Sequence, residues 1–150
     1  MKKKALVILL FLTSQFIISQ ENNTILNWET NFELAKKKAK KNKKPILMLF
    51  TGSDWCAPCK MLKKDFFDSK DFQEKSKEFV LLMVDFPKNK DLITQEQEKS
   101  NKLLSNKYGV KSFPTIIVVN HKGAIIDKIK SYSSSRDTRY HFEFIEKILK

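Results

Sequence analysis

Trp55-Cys56-Ala57-Pro58-Cys59-Lys60 holds both cysteines of the chain, two residues apart, at a change of pattern. Ahead of it runs Pro45-Ile46-Leu47-Met48-Leu49-Phe50, a short unbroken apolar run of the kind shown by a fully buried strand. Behind it Cys59, Leu62 and Phe66 recur at three- and four-residue spacing, the inward stripe of a helix. The dithiol is therefore expected at a strand-to-helix junction, with Cys56 at the first turn. Pro58 suits that opening turn, where a missing N–H costs little. A helix N-terminus presents unpaired N–H groups and the positive end of the dipole, which favour a thiolate. With Lys60 one turn on, Cys56 is expected to react as a nucleophile near neutral pH.

A second motif, Phe113-Pro114-Thr115, lies just ahead of another apolar run, Ile116-Ile117-Val118-Val119. A tryptophan and CxxC-lysine after a buried strand, then a distant proline before the next strand, resemble the thioredoxin superfamily over roughly residues 28–150. Phe50-Thr51-Gly52-Ser53-Asp54-Trp55-Cys56 is most similar to the secreted single-domain thioredoxin-like proteins of bacteria. It is also similar to the C-terminal domain of bacterial disulfide-interchange reductases. The resemblance implies an α/β thioredoxin-like fold, a central mixed β-sheet flanked by helices. It also implies a cis bond at Pro114, beside the dithiol, where the loop helps to hold a substrate backbone. One departure stands out. Thioredoxins commonly carry a buried aspartate on the central strand behind the second cysteine, and the candidate positions here hold Leu49 and Phe50. Ala57 also replaces the usual glycine.

A chain of 150 residues fits one domain with a sizeable core. Residues 1–19 read as an export signal: Lys2, Lys3 and Lys4, a short apolar stretch from Ala5 to Leu12, then Thr13, Ser14 and Gln15. Cleavage is expected after Ser19, leaving residues 20–150 as the thioredoxin-like domain, with no stable membrane insertion after processing. No cysteine follows the apolar stretch, which argues against a lipid anchor of the bacterial lipoprotein type. The formal charge is +12, or +9 once the three lysines of the signal are gone. Much of it comes from Lys36 to Lys44, read as the wet side of a helix with the apolar stripe Trp28, Phe32, Ala35 and Ala39. No aromatic or arginine interleaving suggests a base-stacking platform, so nucleic acid is not an expected partner.

In chain order, the helix from about Trp28 to Asn42 is stopped by Pro45, and Ile46 to Thr51 forms a central strand. Gly52-Ser53-Asp54 is the loop delivering Trp55, and the helix that follows runs to about Phe67. A short helix anchored by Phe72 precedes a strand over Phe79 to Val84. Lys88 to Lys107 reads as a polar helix of which Leu103, Leu104 and Tyr108 dock only the later part. Thr115 to Asn120 and Ala124 to Ile129 form a hairpin about His121-Lys122-Gly123. Ser133 to Ser135 offer N-caps for a last helix with Phe142, Ile145, Ile148 and Leu149 inward.

Dithiol exchange needs one accessible thiolate and one resolving thiol close behind it. Cys56, at the exposed edge of the helix end, is read as the attacker, and Cys59, pointing inward, as the resolver. Trp55, Phe113 and Pro114 are expected to bind substrate, with Ala57, Pro58 and Lys60 in support. A structural staple is disfavoured, because the entropic stabilisation from a cross-link falls as its loop shortens. A metal site would want further soft or imidazole ligands, and His121 and His141 read as surface residues without ligand spacing. No metal or cofactor is expected. The sequence thus points to an exported, periplasmic or secreted thiol–disulfide oxidoreductase that reduces disulfide-bearing proteins and is recharged by a membrane electron donor. The competing reading is a non-catalytic binding or chaperone-like module.

Overall fold

The computed structural model describes residues 26–150. The expected export signal and its expected cleavage after Ser19 lie outside the described residues. Trp28–Glu29 forms a two-residue strand β1, followed by helix α1 over Phe32–Asn42. Strand β2, Ile46–Thr51, leads to α2, Ala57–Leu62, which continues through a π-helical turn at Lys63–Phe67. Then come α3 (Lys70–Ser76), β3 (Val80–Asp85), a 3₁₀ turn at Lys90–Leu92 and α4 (Gln95–Tyr108). The hairpin β4 (Thr115–Val119) and β5 (Ile125–Lys130) precedes the closing helix α5 (Arg139–Leu149).

The five strands lie in the order β1-β3-β2-β4-β5. β1, β3 and β2 are parallel, β4 runs antiparallel to β2 and β5 antiparallel to β4, so the sheet is mixed as expected. Strand alternation divides the core into two layers. Ile46, Met48 and Phe50 pack with Phe32, Ala35 and Ala39 of α1 and with Leu104 and Tyr108 of α4. Leu47 and Leu49 face the other way, toward Leu62, Phe66 and Phe67, Phe72 of α3, and Phe144 and Ile145 of α5. Both faces of β2 are covered, which is why its sequence is a continuous apolar run.

Several boundaries differ from the sequence reading. Asn31 caps α1 by accepting the Leu34 N–H at 2.9 Å, so the helix starts at Phe32. Trp28 is therefore not on its stripe; it pairs with Leu81 as an edge strand and packs edge-on against Phe67. The polar stretch after Pro87 breaks into two pieces because Thr94 and Gln97 form a reciprocal capping box that starts α4. The inward stripe of α4 is Asn101, Leu104 and Tyr108, and Leu103 is 70% exposed. The last helix begins beyond the serine run, with Thr138 at its N-cap and the Asp137 carboxylate accepting the Arg139 N–H. Its buried residues are His141, Phe144 and Ile145; Phe142 and Ile148 are half-buried and Leu149 is exposed.

Candidate functional site

Cys56 and Cys59 form a disulfide at the start of α2. The turn before it is closed by Gly52, whose carbonyl accepts the N–H groups of Trp55 and Cys56. Only a glycine fits there, because an added Cβ would meet the Trp55 indole at 2.5 Å. Cys56 is the N-cap, its sulfur accepting the Cys59 N–H at 3.3 Å. Pro58 falls within the first turn, as its fixed φ and missing N–H require. Burial does not separate the two sulfurs as anticipated. Cys56 is 4% and Cys59 5% exposed, so both are buried in the closed disulfide.

What separates them is their surroundings. Cys59 lines a cavity of about 600 Å³ together with Leu26, Trp28, Leu49, Thr51 and Met83. Leu49 is thus the β2 residue facing the dithiol helix, while Phe50 lies in the opposite layer. The β2 position behind the second cysteine is apolar. Cys56 instead adjoins Trp55, whose indole N–H donates to the Phe86 carbonyl at 2.8 Å and whose ring meets Phe113 edge-on at 6.1 Å. The Phe113–Pro114 peptide bond is cis and Pro114 is buried. Trp55 and Phe113, predicted for one site from two distant motifs, therefore meet.

Two carboxylates tie this region to the end of β3. Asp85 is buried, and it accepts the Ser53 N–H at 2.9 Å and the Ser53 hydroxyl. Asp54 accepts the N–H groups of Lys88 and Asn89 at 2.9 and 2.8 Å. Those bonds, the one from Asn89 foremost, hold its carboxyl below the ordinary 3.8. Lys60 donates to the Asp54 carbonyl at 2.6 Å. Asn101 of α4 donates to the Asp85 carbonyl at 2.7 Å, anchoring the same strand end from behind. Asp85, Phe86 and Lys88 were missed in the sequence. A usable signal existed: Asp85-Phe86-Pro87 closes a parallel strand beside β2, and the carboxyl ends of such strands are where α/β sheets place their sites.

His141 needs a correction. It is 5% exposed, with its ring 5.5 Å from that of Phe66 and 5.4 Å from that of Tyr132. Its spacing to Phe144, Ile145 and Ile148 places it on the inward stripe of α5. Burial pushes it below its ordinary 6.5, opposed by a hydrogen bond with the Ser131 backbone. Among the described residues no group of three or more histidine, cysteine or acidic side chains is placed to hold a metal ion.

A family model described as a thioredoxin-like domain matches residues 32–145. The disulfide bond reductase DsbH of Chlamydia pneumoniae is 33% identical over 99 residues, covering 65% of this chain and 58% of that protein. The thiol:disulfide interchange protein DsbD of Campylobacter jejuni is 32% identical over 107 residues, covering 71% of this chain and 17% of that protein. The chain thus spans less than two thirds of either relative. A solved structure described as DsbH oxidoreductase superposes with a TM-score of 0.72 at 26% identity, over 81% of this chain and 83% of that one. With the family match running from the first turn of α1 into α5 and the dithiol at the head of α2, this chain belongs to the thioredoxin-like domain family.

Proposed function

We propose that this protein is an exported thiol–disulfide oxidoreductase that reduces disulfides in periplasmic or secreted proteins. The observation that carries the reading is the Cys56–Cys59 disulfide at a helix start, with Trp55 and the Phe113–Pro114 loop beside it. The name of the DsbH relative, a disulfide bond reductase, supports the reductive direction. The Ala57-Pro58 dipeptide, similar to the Gly-Pro of thioredoxins, supports it too.

In the reduced protein, the Cys56 thiolate attacks one sulfur of a client disulfide and expels the other as a thiolate. Cys59 then loses its proton and attacks the Cys56 sulfur, releasing the second client thiol and closing the Cys56–Cys59 disulfide. The client gains two electrons and two protons, and the protein is left in the oxidised form described above. The unpaired N–H groups at the head of α2 and the Lys60 ammonium favour the attacking thiolate. An extended client segment lies along the Phe113–Pro114 loop by backbone pairing, with Trp55 as its floor. Outside the cytoplasm, a membrane electron donor must reduce the disulfide again. Export rests on the basic and apolar pattern of residues 1–19.

The test is reduction of insulin by a small dithiol. Catalytic amounts of the protein should accelerate it, and Cys56→Ser should return it to the uncatalysed rate. A wild-type protein that leaves the rate unchanged would instead be a binding module with an incidental dithiol.

A further inference from the structure

We propose that the rim of the dithiol selects client segments with an acidic residue next to the cysteine under attack, and that Lys88 makes the selection. The proposal rests on the exchange reading above and adds a substrate class to it.

Three rings from three separate segments make one platform. Trp55 is 43% exposed and is held in place by its bond to the Phe86 carbonyl. Phe86 stacks on Phe113 at 5.1 Å and 22°, and Phe113 meets Trp55 edge-on. Over this platform stands the Lys88 ammonium, 5.5 Å from the Trp55 ring centroid. A cation on a ring face is attracted by the quadrupole but is not neutralised, and its three N–H donors stay available.

The local charge is arranged to one sign. Lys63 and Lys90 are paired with Asp68 and Glu98. Lys88 has no carboxylate partner among the described residues, and Lys60 donates to a backbone carbonyl instead. Two acids beside the platform are turned to backbone and hydroxyl donors, Asp54 to the Lys88 and Asn89 amides and Asp85 to Ser53, while Asp91 on the turn after Lys88 is exposed. The rim at Trp55 therefore presents the Lys88 ammonium and keeps the carboxylates of Asp54 and Asp85 engaged within the protein. The net positive charge, +9 once the three lysines of the signal are gone, acts in the same direction at longer range, steering acidic partners toward the molecule.

An extended client would lay the side chain beside its cysteine over Trp55. A carboxylate there meets Lys88 across the indole, while a lysine there meets a like charge. A single exposed ion pair supports a discrimination of roughly two- to fivefold, weakened by salt.

The experiment uses three disulfide peptides that differ only in the residue following the cysteine: glutamate, glutamine or lysine. The rate constant for mixed-disulfide formation is measured with the full protein and with Lys88→Glu, at low and at physiological salt. In each protein the readout is the rate relative to that of the glutamine peptide. The wild type should prefer the glutamate peptide two- to fivefold, less so in salt, and Lys88→Glu should prefer the lysine peptide. Equal preferences in both proteins would overturn the proposal. Versions with serine in place of cysteine report binding by tryptophan fluorescence. The glutamate version should bind the wild type more tightly than the lysine version, and equal binding would also overturn the proposal. A wild type that does not attack even the glutamine peptide contradicts the exchange reading alone, since the serine peptides still decide the charge preference.

Discussion

Leu49 is the residue on which the kinetics of this dithiol should turn. It faces the cavity that Cys59 lines, in company with Thr51 and Met83, so no carboxylate on β2 stands ready to take the Cys59 proton. Asp54, the nearest acid in sequence, is held by the Lys88 and Asn89 amides, and Asp85 by Ser53. Asp68, which lines the same cavity, is paired with Lys63, so Cys59 must lose its proton by a less direct route. Rapid mixing with a fluorescent disulfide peptide separates the two steps. Formation of the mixed disulfide should level off at lower pH, whereas its release should keep accelerating toward and beyond about pH 8.5, the ordinary thiol range. Leu49→Asp should quicken release near neutral pH, at a stability cost above about 3 kcal/mol, the loss of a buried leucine plus the burial of a carboxyl group, read by urea unfolding. Release that is equally fast in both proteins, or already saturated in mild acid, would place the base elsewhere.

At the scale of elements, α5 carries a titration that its amphipathic pattern conceals. His141 sits neutral between Phe66 and Tyr132, its Nδ1 without a hydrogen-bond partner, and burial lowers its pKa from 6.5. Above about pH 6.5 the folded and unfolded chains are both neutral at this position, and its contribution to stability is complete. As the pH falls, the unfolded chain takes up the proton first, so that stability is lost until the folded-state pKa is passed. Thermal unfolding should show a falling Tm in this window, and His141→Phe should flatten the fall. An identical slope in the variant would remove His141 from the account. Elements of this kind explain what could be read in advance. β2, β3 and β4 were legible because helices cover both faces and force continuous apolar runs. β1 has only two residues and leaves no period to detect, and so Trp28 was assigned to the following helix. A histidine on an apolar stripe gives the same pattern whether it is buried or at the stripe's edge.

For the whole molecule, the site is a meeting of chain segments far apart in sequence. The dithiol, Trp55 and Pro114 were legible because each belongs to a local motif. Asp85, Phe86 and Lys88 were not, because β3 brings them there only by pairing in register with β2, Thr51 opposite Asp85. Their bonds to Ser53, Asp54 and Trp55 span 31 to 34 residues. No spacing rule encodes contacts of that range. Among the described residues no helix is long and apolar enough to cross a membrane. The central claim is that the two sulfurs have different tasks, Cys56 attacking and Cys59 releasing. Its most direct test is the capture of mixed disulfides in cells, read by non-reducing electrophoresis, from Cys56→Ser and Cys59→Ser proteins. The account predicts that Cys59→Ser accumulates covalent client adducts through Cys56, and that Cys56→Ser captures none. Adducts on Cys56→Ser with none on Cys59→Ser would contradict it.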